Sequence, residues 1–83
     1  MNHTLDRTRL HWQCRRGMLE LDIMLGEFLE ARFEELDATE KRAFADLLNY
    51  QDDVLLEYIM GRMIPTDRTI ANVVTKIRRS PAS

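Results

Sequence analysis

Between Met18 and Leu36 an apolar residue returns every three or four positions: Met18, Leu21, the pair Met24/Leu25, the pair Phe28/Leu29, then Phe33 and Leu36. A stripe of that period lies on one face of a helix; on a strand, where side chains alternate, it would scatter over both. The spacing therefore predicts a helix over about residues 18–35. Similar spacings recur along most of the chain, β-branched residues are sparse, and no alternating run persists. A chain patterned this way buries its stripes by packing helix on helix. The expected fold is all-α, a compact bundle of five short helices in one domain over residues 1–83.

The other helices follow from local signals. Leu5, Leu10, Trp12 and Cys14 suggest a first amphipathic helix from Leu5 to Arg16. Gly17 falls where a left-handed residue would end it, and Arg15 and Arg16 fall in the last turn, where cations suit the helix dipole. Asp37-x-x-Glu40 reads as a capping-box variant opening a third helix, whose inner face is Ala43, Phe44, Leu47 and Leu48. Asp52 or Asp53 can cap a fourth helix carrying Val54, Leu55, Leu56, Tyr58, Ile59 and Met60, which Gly61 would end and Pro65 would keep from resuming. Thr66 is the expected cap of a fifth helix reaching about Arg79, with Ile70, Val73, Val74 and Ile77 inward. Ser80-Pro81-Ala82-Ser83 reads as a frayed tail.

One local choice runs against this pattern. Gly26 in the middle of the second helix costs on the order of 1 kcal/mol relative to alanine. Close approach of another helix or of a partner would account for it. Trp12 has two readings: a core residue clamping the first helix to the bundle, which is favoured, or an exposed aromatic anchor at an interface. Met18, Met24, Met60 and Met63 read as core filler rather than an adaptable binding groove.

Composition narrows the functional classes. Eighty-three residues bury only about 60–65% of the surface of the unfolded chain, which leaves little room for an enclosed catalytic cavity. The single cysteine, Cys14, excludes an internal disulfide and suits a reducing compartment. No apolar run approaches a membrane span, and the first residues lack the apolar core of a secretory signal, so a cytoplasmic location is expected. The net charge of −2 is segregated: residues 1–16 sum to +3, residues 17–67 to −9 and residues 68–83 to +4. A strongly acidic middle argues against non-specific nucleic-acid binding.

Catalytic patterns are missing. The chain has no phosphate-binding loop, no nucleophile elbow and no HExxH pair. His11 and Cys14 at i, i+3 supply two ligands, too few for a structural zinc site, and His3 adds little; no metal and no catalytic residue is assigned. What remains is the stretch Cys14-Arg15-Arg16-Gly17-Met18-x-Glu20-x-Asp22. Arg16 and Glu20 on one continuous helix would form an ordinary i, i+4 ion pair worth a few tenths of a kcal/mol. The base precedes the acid, which is the less favourable order, and Gly17 sits between them. If Gly17 ends the first helix, the two charges flank a corner where the bare backbone admits close approach by another macromolecule.

That stretch, written His11-Trp12-x-Cys14-Arg15-Arg16-Gly17-Met18-x-Glu20-Leu21-Asp22, resembles the hallmark of the small bacterial and mitochondrial FAD assembly factors of succinate dehydrogenase and fumarate reductase. Their Arg-Gly-x-x-Glu motif is matched by Arg16, Gly17 and Glu20. The likeness continues through Phe28, Leu36-Asp37-x-x-Glu40-Lys41, Phe44-x-x-Leu47-Leu48 and Gln51-Asp52-Asp53. The chain departs from the family at Tyr58, where many members carry tryptophan. The resemblance implies a five-helix bundle, monomeric when free, that binds the flavoprotein subunit of the complex and promotes covalent attachment of FAD to one of its histidines. It implies no enzymatic activity, and it assigns partner binding to Arg16, Gly17 and Glu20, with Arg15, Asp22 and His11 completing the patch. The FAD is the client's own; no dinucleotide fold is present to hold it here, and direct binding is left open. Two rival classes stand beside this one: an antitoxin-like interaction module whose acidic surface neutralises a basic toxin, and a nucleic-acid-binding helical domain using the basic ends.

Overall fold

The computed structural model describes residues 7–79. It contains five helices: α1 (Arg7–Gln13), α2 (Leu19–Ala31), α3 (Ala38–Leu47), α4 (Asp52–Ile59) and α5 (Arg68–Arg79). A 3-10 turn over Phe33–Glu35 follows α2, and the described residues include no strand. Leu5, His3 and Ser80–Ser83 lie outside the described residues.

The predicted stripes meet in one core. Phe44 of α3 stands at its centre, with its ring centroid 5.6 Å from those of both Phe28 and Phe33. Leu21, Leu25 and Leu29 from α2, Leu47 from α3, Leu55 from α4 and Val73 and Ile77 from α5 close round it. α3 packs most extensively against α5. Met18, Met24 and Met60 are half-buried against this core, whereas Met63 is exposed. Tyr58 is half-buried and meets Tyr50 edge-on at 5.6 Å, so the aromatic position of α4 is filled without a tryptophan.

Capping sets the element boundaries. Asp37 accepts from the Glu40 backbone N–H at 2.8 Å, and the Glu40 carboxylate accepts from the Asp37 N–H at 3.2 Å, a complete capping box of the kind worth about 1 kcal/mol. Gly61, at φ +80°, closes α4: its N–H donates to Tyr58 and that of Arg62 to Glu57, the paired bonds of a Schellman ending. Three expectations are corrected here. α4 is opened by Gln51, with Asp52 and Asp53 already in its first turn. α5 is capped by Asp67, not Thr66; the Asp67 carboxylate accepts from the Ile70 N–H at 3.0 Å. α2 stops at Ala31, and Phe33 reaches the core from the 3-10 turn.

The first helix departs most from expectation. It ends at Gln13, so Arg15 and Arg16 follow it and contribute nothing to its last turn. Trp12 is 67% exposed, which overturns the favoured core reading; Leu10 and Cys14 alone turn inward from this region. Burial of two residues four apart is enough to seat a helix of seven residues, and Trp12 lies off that line. α1 runs back along α2 as a hairpin. Arg7 at its start donates to the Leu29 carbonyl at 3.2 Å and pairs with Glu34 at 3.1 Å, while the residues after its end are held by Asp22 near the start of α2.

Candidate functional site

The link between α1 and α2 is built round one carboxylate and one guanidinium. Asp22, in the first turn of α2, accepts the backbone N–H of Arg16 at 2.6 Å and that of Gly17 at 3.1 Å. Two successive amides converging on one carboxylate fix the bend. The bend requires Gly17 at φ +81°, a left-handed conformation that costs an L-residue about 1–2 kcal/mol. The expectation of a left-handed glycine between the first two helices holds. Apart from its two chain neighbours, no described residue lies within 4 Å of where a Gly17 Cβ would stand, so this backbone faces open space.

Arg16 turns the other way. Its side chain is only 17% exposed; one terminal nitrogen donates to the Leu48 carbonyl past the end of α3, and the other stands 3.4 Å from the Asp52 carboxylate. Its Nε is buried without a hydrogen-bond partner. Arg16 therefore ties the α1–α2 link to the α3–α4 link, and its carboxylate partner is Asp52, not Glu20. Glu20 is exposed on the second residue of α2, and its charge adds the smallest share to the rise that Glu57, by hydrogen bond and charge, gives Arg62. Arg62 in turn forms a two-point contact with Glu57, at 2.9 and 3.1 Å, which holds the Glu57 carboxyl below its ordinary range.

The remaining motif residues surround the corner. Arg15 is exposed, with its guanidinium 5.6 Å from the centre of the Trp12 ring, a stacking arrangement suited to arginine. His11 stands 3.6 Å from the Glu30 carboxylate, and with Arg7, Thr8, Trp12 and Glu30 it lines a crevice of about 260 Å³. Leu19, beside Glu20, is 78% exposed. The structure thus brings Gly17, Asp22 and the Arg16 backbone into one corner, with Arg15 stacked on Trp12 and Glu20 outward. It parts the Arg16 guanidinium from Glu20. Sequence reading missed Asp52 and the Leu48 carbonyl as the partners of Arg16, which are 36 and 32 residues away and left no local signal. Arg62 was missed as well, since only the fold carries it near Glu20.

Cys14 shows how dry the inner side of this link is. Burial pushes its thiol from the ordinary 9.0 up to about 12, against the opposing pull of the Arg16 charge. The unfolded chain ionises near pH 9.0, while the folded chain keeps its proton to about pH 12. The associated stability is therefore full below pH 9.0 and is lost as pH rises from there toward 12. Thermal melts across that range should show a decline that is flatter in Cys14→Ala than in the parent chain. Equal slopes would mean that the thiol titrates alike in both states.

No helix among the described residues is long and apolar enough to cross a membrane. The corner offers recognition groups: a bare backbone, an exposed carboxylate, a stacked guanidinium and exposed apolar side chains. Comparison with known proteins gives this surface a context. The family model described as "flavinator of succinate dehydrogenase" matches residues 8–81. An FAD assembly factor of Coxiella burnetii is 38% identical over 79 residues, covering 95% of this chain and 96% of its own. FAD assembly factors of Vibrio vulnificus and Aliivibrio fischeri are each 40% identical, over 77 and 72 residues, covering 93% and 87% of this chain and 90% and 84% of their own.

Proposed function

The chain belongs to the family of flavinators of succinate dehydrogenase, and from that premise we propose that the Gly17 corner is the surface with which it grips the flavoprotein subunit. It is an FAD assembly factor that promotes covalent attachment of FAD to that subunit. Its client on this reading is the flavoprotein of succinate dehydrogenase or of fumarate reductase, and its workplace is the cytoplasm, in keeping with one free, buried thiol. The protein acts by holding the client, not by catalysis of its own.

The observation that carries the assignment is the pairing of a rigid support with an unoccupied surface. Asp22 and Arg16 hold the link from inside, and Gly17 faces open space in a conformation that only the backbone of glycine adopts cheaply. Leu19 and Glu20 stand exposed two and three residues after it, and the exposed Arg15, stacked on Trp12, lies two residues before it. A client segment can therefore come within backbone contact at Gly17 while meeting a carboxylate on one flank and a guanidinium on the other. Arg15, Asp22 and His11 extend the patch. Arg16 contributes by fixing its shape.

The FAD stays with the client. The crevice beside the corner is lined by Asp22, Glu27 and Glu30, whose charges oppose a diphosphate. The protein's share is to order the client's flavin-binding region so that the histidine and the flavin meet. In-gel flavin fluorescence of the flavoprotein subunit, made with and without this chain in a host lacking its own factor, tests the function. Covalent flavin should be strongly reduced without it. An equal signal in both would overturn the reading.

A further inference from the structure

Gly26 occupies a helical position of α2, where glycine is the poorest choice short of proline. Its backbone has no positive φ, and a Cβ added there would meet nothing within 4 Å. The expected approach of another helix is therefore absent from the described residues, and no demand of the fold explains the residue. It forms part of an open crevice of about 450 Å³ along α2, lined by Asp22, Ile23, Gly26, Glu27, Glu30 and Ala31 and, from α1, by His11. Ile23 is 44% exposed there. Three carboxylates line the crevice, of which one is unpaired among the described residues. Asp22 serves the corner amides, Glu30 lies 3.9 Å from Arg7 and 3.6 Å from His11, and Glu27 is exposed with no charge partner among the described residues.

We propose that this crevice receives a basic segment of the flavoprotein subunit, an arginine- or lysine-bearing stretch whose aliphatic stems lie over Ile23 and the bare backbone at Gly26 while their charges face Glu27 and Glu30. The proposal rests on the reading of the Gly17 corner as the flavoprotein-binding surface, with which the crevice is continuous through Asp22. Two properties select this occupant. The apolar floor rewards burial of a side-chain stem, and the exposed carboxylate of Glu27 beside Glu30 rewards a cation and rejects an acidic segment. The missing side chain at Gly26 is what lets a second backbone or stem come close.

Titration of the purified apo-flavoprotein subunit against the full chain tests this, with Gly26→Ala, Gly26→Leu, Glu27→Lys and the corner variant Glu20→Ala compared at low and high salt. Gly26→Ala should melt at or above the parent temperature, because it improves helix propensity and its Cβ meets nothing within 4 Å among the described residues, and Gly26→Leu, which shares that Cβ and a high helix propensity, should stay folded at the assay temperature. Gly26→Leu should weaken binding by about tenfold or more, and Glu27→Lys by about tenfold with a flattened salt dependence. Gly26→Ala should bind within about threefold of the parent. If Gly26→Leu and Glu27→Lys bind like the parent while Glu20→Ala does not, the crevice is bare solvent and the proposal falls alone. If Glu20→Ala binds like the parent while the crevice variants do not, the crevice stands and the corner reading falls. Sedimentation is the last arm: a parent dimer that Gly26→Leu renders monomeric, with flavoprotein affinity unchanged, would make the occupant a second copy and overturn the proposal.

Discussion

Gly17→Arg should reduce covalent flavin on the client flavoprotein by more than about tenfold while leaving the chain folded. The substitution has two separable costs. The backbone at φ +81° penalises any side chain by about 1–2 kcal/mol, a loss a domain of ordinary stability survives. Melting should fall by roughly 4–16 °C, taking 4–8 °C per kcal/mol for a domain of this size. The second cost falls on the complex alone: because nothing lies within 4 Å of the new Cβ, the added guanidinium projects outward into the space the client would occupy. Gly17→Asn separates the two, since asparagine tolerates the left-handed region and adds little bulk. It should melt close to the parent and flavinylate at an intermediate level. If Gly17→Arg flavinylates normally, Gly17 serves the bend only. Loss of helical circular dichroism at 25 °C would place the defect in folding instead.

Arg16→Ala should have the largest effect on stability of any single change in the motif, about 2–3 kcal/mol. It removes a charged donor from the Leu48 carbonyl, a bond worth roughly 1.5–3 kcal/mol. It also removes the cation beside Asp52, a contribution discounted here because the Asp52 side chain is 43% exposed. The buried, unpartnered Nε disappears with the rest and returns part of the loss. The melting temperature should drop by roughly 10–20 °C. Arg16→Lys keeps the charge but offers a single point where two partners need a fork, so it should fall between alanine and the parent. Asp52→Asn should cost less than Arg16→Ala, and the double variant should cost less than the sum, since the residues share one contact. Flavinylation should follow the folded corner: lost in Arg16→Ala, and partly recovered when that variant is assayed well below its melting point. An Arg16→Ala chain that melts like the parent but fails to flavinylate would instead put the Arg16 side chain in direct contact with the client.

Much of this molecule was readable one helix at a time. The inward residues of α3 and α5, the capping box at Asp37, the glycine ending at Gly61 and the left-handed glycine at position 17 in the α1–α2 link all follow from near neighbours along the chain, although α1 itself ends earlier, at Gln13. Such preferences depend on neighbours along the chain and agree with the fold they are packed into. Errors arose where two local signals competed or where burial had to be shared. Thr66 and Asp67 are both capping types, and the register of the first turn chose Asp67. Trp12 is apolar enough for a core, yet α1 seats itself with Leu10 and Cys14 and leaves the ring outside.

The candidate site divides along the same line. That Arg16, Gly17 and Glu20 belong to a corner with a bare backbone was legible, because a glycine between charges at that spacing fits a helix break better than a helix. That the Arg16 guanidinium faces inward was not, since its partners lie 32 and 36 residues away. The outward Glu20 near Arg62 and the open space over Gly26 are likewise products of packing. The sequence by itself determined which segments are helical, the capping box at Asp37 and the place where the chain must bend, since these rest on local free energies. Only the tertiary structure decided which side chains of the motif support the corner and which are left to a partner, because a guanidinium goes to whatever carbonyl and carboxylate the packed helices bring within its reach.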